Sequence, residues 1–251
     1  MGRSGLTLRI SVTTISGSTY HVPTKMTKTK ILSEYELVSH LAEKLKPEFQ
    51  TDVFAREFAV GYGIADLVFA KSFYSKKNKM DRRPISNYYS LILYLAIQQN
   101  QTFTTTDARQ ILRTSQSVAH TAVVTLVEDG YIQQTAKGSY IKSLEVEPPQ
   151  LKLVAIEAKL RDWKQGILQA RRYKTFTDES YLAILAKYEK NIDPELLKYH
   201  DIGLILVDDS SGTITFKRRP EGLRPKYMTE SVETELFANE VFLNSFCAKT
   251  A

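Results

Sequence analysis

The chain has 251 residues, 43% of them hydrophobic and 25% charged, the composition of an ordinary globular protein with room for one large domain or two small ones. A single cysteine, Cys247, excludes a disulfide framework and a cysteine-rich zinc site; no apolar run approaches about 18 residues and no signal-peptide stretch opens the chain, so a cytoplasmic protein without a membrane span is expected. The net charge of +6 and pI near 9.2 permit a polyanionic partner without demanding one.

Residues 1–30 are rich in Ser, Thr and Gly, with alternation from Leu6 to Thr13 that allows one strand in an otherwise undetermined arm. From Ser33, the apolar residues Leu37, Val38, Leu41, Ala42 and Leu45 recur at helical spacing, and Pro47 marks the end. Glu34 lies three and four positions before Leu37 and Val38 and so shares their inward stripe, either as a helix-dipole partner or as an acid at a site. His40 falls on another face and reads as a solvated residue. Val53 to Val60 and Ile64 to Ala70 flank Gly61-Tyr62-Gly63 and predict a hairpin. Its second strand carries Asp66. Its first carries Glu57, for which pairing with a lysine and approach to a site both stay open.

The stretch Lys71 to Arg83 is basic and poor in apolar residues, a linker by composition. A new periodic unit follows over 84–142. Ile85 to Gln99 predicts an amphipathic helix with Tyr88, Leu91, Ile92, Leu95 and Ala96 inward. Thr104 to Leu112 predicts a second helix and Ser115 to Asp129 a third, closed by Gly130. A hairpin from Tyr131 to Lys142, with Gly138 in its turn, completes the unit. Three helices and a hairpin, joined through Leu-Val-Glu-Asp-Gly-Tyr-Ile, resemble a winged helix-turn-helix. Such modules lay the third helix in a major groove, which would present Ser115, Gln116, Ser117 and His120 to DNA, with Lys137 on the wing. That helix face is polar but not basic, so use of the module for protein contacts or packing remains the other reading.

After Pro148-Pro149, Leu151 to Ile156 predicts a buried strand ending in Glu157-Ala158-Lys159. Alternation puts Glu157 and Lys159 on one face and Ala158 on the other. A carboxylate and an ammonium at the end of a buried strand are costly without a partner or a task. Asp162 to Tyr173 predicts a helix with Trp163, Ile167 and Ala170 along one side and Gln169 and Tyr173 four apart. Strands follow at Ser180 to Ala186, Ile202 to Val207 and Thr213 to Lys217, with a short helix from Asp193 to Tyr199. One or two closing helices are expected between Tyr227 and Phe246.

The hairpin strand bearing Asp66, the strand ending in Glu157-Ala158-Lys159 and the helix with Gln169-x-x-x-Tyr173 together resemble the PD-(D/E)xK nuclease superfamily, including its Gln-x-x-x-Tyr branch. The resemblance covers roughly Ile31 to Phe69 and Leu151 to Phe216; Ala65 stands where the superfamily's name has proline. It implies an α/β fold of restriction-endonuclease type, an α+β mixed sheet flanked by helices, built from 1–71 and 150–251. The winged helix-turn-helix domain would be inserted at 84–142 between linkers at 72–83 and 143–149.

It further implies a DNA endonuclease in which Asp66 and Glu157 hold Mg²⁺, with Mn²⁺ as a substitute and the Ala158 carbonyl as a further ligand. Lys159 would orient a water or stabilise developing charge, its pKa lowered by the cation. Gln169 would fix a water or the DNA backbone, Tyr173 would support the site or touch phosphate, and Glu34 would be the first-helix acid. Arg171 and Arg172 are candidates for phosphate contact or simply solvated. The expected partner is double-stranded DNA, with a homodimer or partner subunit open and no membrane. The alternatives are a non-catalytic DNA-binding regulator or assembly subunit that uses the nuclease fold as a scaffold, and a structural interaction module.

Overall fold

The computed structural model describes residue 31 and residues 33–71, 82–222 and 232–250. The arm expected over 1–30, most of the basic linker and the expected start of the closing helix at Tyr227 lie outside these residues.

Helix α1 (Glu34–Lys44) opens with a capping box: the Ser33 hydroxyl accepts from the Glu36 N–H, and the Glu36 carboxylate accepts from the Ser33 N–H. A short α2 (Lys46–Phe49) follows. Strands β1 (Phe54–Ala59) and β2 (Ile64–Ala70) form the expected antiparallel hairpin. Gly61 and Gly63 supply the positive φ of its turn.

The next unit holds α3 (Tyr88–Ala96), β3 (Phe103–Thr104), α4 (Thr105–Leu112), α5 (Gln116–Glu128), β4 (Ile132–Ala136) and β5 (Ser139–Lys142). Its three strands form a separate sheet in the order β3-β5-β4, and Leu91, Leu93, Tyr94, Ala119, Val123, Leu126 and Tyr131 belong to its own apolar core. Two expectations change here. Helix α3 starts at Tyr88 because the Asn87 side chain caps it, accepting from the Ser90 N–H. Its buried face is Ser90, Leu91, Leu93 and Tyr94, while Tyr88, Leu95 and Ala96 are exposed. The Tyr94 hydroxyl explains the rotation: it donates to the Leu144 carbonyl and accepts from the Val146 N–H, tying the helix to the outgoing chain. Strand β3 is too short to show a period.

The remainder is β6 (Leu153–Lys159), α6 (Trp163–Tyr173), β7 (Glu179–Leu185), a 3-10 turn at Ala186–Asn191, α7 (Pro194–Tyr199), β8 (Gly203–Val207), β9 (Ile214–Arg218) and α8 (Val232–Thr250). Six strands form one mixed sheet in the order β1-β2-β6-β7-β8-β9. The β6-β7-β8 pairs are parallel and the outer pairs antiparallel. Leu37, Leu41 and Phe49 of α1 and α2 pack on one face of this sheet. The other face is covered by Ile167 and Ala170 of α6, Leu197 of α7, and Ala238 and Phe242 of α8. Helices on both faces of a mixed sheet make three layers.

The chain leaves β2 and returns to β6 at neighbouring points, since the Lys71 N–H donates to the Lys152 carbonyl at 2.9 Å. The helical unit therefore sits in a loop whose ends touch. It also leans on α8: Tyr88 and Phe237 pack edge to face, and Leu236 and Phe237 join the unit's core. The basic run is not all solvated. Arg82 is half-buried and grips Glu240 of α8 through two hydrogen bonds of 3.0 and 2.5 Å, while the Ile85 N–H donates to the same carboxylate.

Candidate active site

The site forms where β2 and β6 part. Their last paired residues are Leu67 and Ile156. One step further the register sets Asp66 opposite Glu157, and the ladder is continued by a side chain: the Ala158 N–H donates to Asp66 Oδ2 at 2.7 Å. Along β6, Val154, Ile156 and Ala158 belong to the core under α1, while Leu153 and Ala155 belong to the opposite core. Alternation carries Glu157 and Lys159 to the α6 side, as expected. Helix α6 can approach this closely because Gly166 has no side chain. A Cβ there would lie 2.5 Å from Leu182 Cδ1 and 3.1 Å from Lys159 Cγ.

Glu157 is 1% exposed and fully engaged. Lys159 Nζ lies 2.6 Å from its Oε1, and the Tyr173 hydroxyl lies 2.5 Å from its Oε2. The same hydroxyl is 2.7 Å from the Ile64 carbonyl, so one phenol proton stands between two acceptors and joins the hairpin tip to the buried carboxylate. Tyr173 is itself buried, which of its two expected roles favours support of the site from inside over contact with phosphate.

Burial pushes the Asp66 carboxyl up despite the Ala158 N–H and the Lys159 charge, and Glu34 and Glu57 add to the push. Burial, then the Asp66 charge, also raises Glu157, outweighing the help from Lys159 and Tyr173. Burial pulls the Lys159 ammonium down, but its hydrogen bond to Glu157 and the charges of Glu157, Glu34 and Asp66 hold it above the ordinary lysine value. In the protein alone Lys159 is thus held as a cation. Tyr173 is pushed up by burial and then by the Glu157 charge and hydrogen bond.

Glu34 is at the rim rather than in an inward stripe. Its side chain is 51% exposed, with Oε2 3.9 Å from Lys159 Nζ and Oε1 3.4 Å from the Leu160 N–H. The stripe inside α1 begins at Leu37, leaving Glu34 free to lean over the end of β6. Gln169 stands one turn before Tyr173, and its Oε1 is buried without a hydrogen-bond partner. Arg171 is half-buried and Arg172 exposed. Ser115, Gln116, Ser117, His120 and Lys137 all lie exposed on the separate helical unit. His40 is not a solvated residue: its Nε2 lies 2.7 Å from the Gly212 carbonyl.

Two further residues join the site. For Glu57, whose approach was left open, the hairpin register decides: Phe58 pairs with Ala65 and Arg56 with Leu67, so Glu57 lies opposite Asp66. Its φ of 50° is a conformation that costs a non-glycine residue about 1 kcal/mol or more. The second is Arg161, two residues beyond Lys159 and not singled out by the sequence, exposed and with no hydrogen bond or ion pair from its side chain to any described residue.

Among the described residues no three His, Cys, Asp or Glu side chains gather into a metal-binding group. The donors present are nevertheless of one kind. Asp66 and Glu157 offer carboxylate oxygens, and Gln169 Oε1 is a buried acceptor lacking a donor. Hard oxygen donors fit a hard divalent cation that keeps much of its water. No protein-family model, curated protein or solved structure matches the chain.

Proposed function

We propose that this protein is a Mg²⁺-dependent DNA endonuclease of PD-(D/E)xK type, in which the unit over 84–142 is a winged helix-turn-helix that positions duplex DNA. One observation carries the reading: Asp66, Glu157 and Lys159 meet at the parting of β2 and β6, with an orphaned Gln169 oxygen on the adjacent helix. A buried Glu–Lys pair is a poor way to stabilise a fold, since desolvating two ions costs several kcal/mol. Its retention beside a second carboxylate suits chemistry on a phosphodiester.

Asp66 and Glu157, with the Ala158 carbonyl, would hold the cation, and Mn²⁺ could replace Mg²⁺. When bound, it would supply Lewis-acid polarisation of the phosphate and a more acidic water. The residues do the rest. The Lys159 ammonium donates to charge developing on the phosphate oxygens, in a setting where most water has been removed. Gln169 Oε1 accepts from a water and so orients it. Tyr173 holds Glu157 in place, and Glu34 at the rim steadies Lys159. Exposed Gln116, Ser117, His120 and Lys137 offer hydrogen bonds and charge to a DNA groove and backbone.

A competing reading, a non-catalytic DNA-binding regulator or assembly subunit on a nuclease-like scaffold, draws on the fact that both Glu157 oxygens already have partners. Incubation of the full chain with linear, supercoiled and branched DNA, in Mg²⁺, Mn²⁺ or EDTA, separates the two. The nuclease reading predicts cleavage that EDTA abolishes. DNA binding with no cleavage in either metal would favour the scaffold.

A further inference from the structure

Beside the candidate site lies a crevice of about 660 Å³ that none of the roles above uses, walled by Glu34, Arg161, Asp162, Lys187, Tyr188 and Asp209. Its size is within the roughly 300–1,000 Å³ usual for small-ligand sites. Most of its charges are already matched. Asp162 Oδ1 caps α6 by accepting from the Gln165 N–H at 3.1 Å. Lys187 and Asp209 pair at 2.7 Å, and Glu34 reaches Lys159 and the Leu160 N–H. Arg161 is the charge in this wall left without a partner among the described residues. A guanidinium there suits a phosphate, which its fork can bind through two hydrogen bonds. The Tyr188 ring, half-buried and packed on the core, is a fixed apolar wall. An aromatic wall beside an arginine is the pair of surfaces that a single unstacked nucleotide asks for.

Glu34 walls the crevice and also leans on Lys159, and Arg161 follows Lys159 by two residues, so the crevice adjoins the candidate active site. Building on the nuclease reading, we propose that the crevice is a subsite for the nucleotide next to the scissile phosphate. Arg161 holds the phosphate of that nucleotide and Tyr188 its base. A base can enter only after leaving its stack. The substrate class is therefore DNA whose strand is unpaired beside the cut, such as a fork, flap or bubble, in preference to continuous duplex.

The test titrates thymidine 3′,5′-bisphosphate into the full chain without divalent metal, by calorimetry, and in parallel compares cleavage of a fork with that of the matching duplex in Mg²⁺. Arg161→Ala removes an exposed side chain, and Tyr188→Leu keeps apolar bulk while losing the ring, so both variants should fold. Each should weaken bisphosphate binding about tenfold and lower the fork-to-duplex cleavage ratio by a similar factor. No binding by the unaltered protein, or binding and cleavage ratio unchanged in both variants, overturns the subsite. Bisphosphate binding that depends on Arg161 and Tyr188 in a protein that cuts no DNA supports the subsite and sinks the nuclease reading instead.

Discussion

Glu157 is the residue whose surroundings are least easily explained by folding alone. It is buried at the end of a strand, shares one oxygen with Lys159 and the other with Tyr173, and faces the Asp66 charge. Removing the phenol isolates one part of that arrangement. Tyr173→Phe keeps the ring in its core but leaves a buried carboxylate oxygen short of a donor, at a cost of about 1–3 kcal/mol. Denaturant titration should show that loss, and stability equal to the unaltered protein would mean that the hydrogen bond contributes nothing. At this scale the sequence was informative for strand phase: Glu157 and Lys159 on one face and Ala158 on the other follow from alternation alone. Only the inward stripe expected for Glu34 was misjudged, because a helical stripe says which side a residue is on, not whether the core extends as far as the first turn. Tyr173 was read as near the site, and only packing shows that its hydroxyl points inward.

At the scale of elements, the hairpin, the central strand and its following helix were legible because each has a strong period and a Gly, Pro or capping residue at its ends. The start and inward face of helix α3 were not, since apolar residues surround it and the face is chosen by the partners of Tyr94. Arg82 was hidden in a run of charges, where composition says solvent. Its partner, Glu240, is 158 residues away, and its own side chain is only 9% exposed. Glu240→Ala would leave that guanidinium buried and the Ile85 N–H unpaired. Breaking a buried pair from one side costs about 3–5 kcal/mol, so the thermal midpoint should fall by many degrees. A shift within a degree or two would mean that the contact between the helical unit and α8 does not depend on this pair.

For the whole molecule, the arrangement is a three-layered sheet domain with a helical unit held in one of its loops and braced on its last helix. On the proposed function this architecture suits a division of labour, with DNA gripped by the helical unit and cut where β2 and β6 part. If the unit supplies most of the affinity, Lys137→Ala and Gln116→Ala should each weaken duplex binding. The lysine change should also reduce the salt dependence of log K by about one unit of slope, the share of one neutralised phosphate. Unchanged affinity and slope in both would move the DNA-binding surface to the sheet domain, near Arg171 and Arg172.

The most direct measurement is Mg²⁺-dependent DNA cleavage, with DNA binding followed in parallel, for the unaltered protein, Glu157→Gln and Lys159→Ala. Under the proposed function, Glu157→Gln replaces a charged ligand by an amide of nearly the same shape, so cleavage should collapse while binding through the helical unit persists. Lys159→Ala leaves both carboxylates in place and should cut about 10²-fold more slowly or worse, the usual cost of losing one preorganised charge-stabilising group. Cleavage that continues undiminished in both variants would contradict the account, because the buried carboxylate and lysine would then have no part in the reaction.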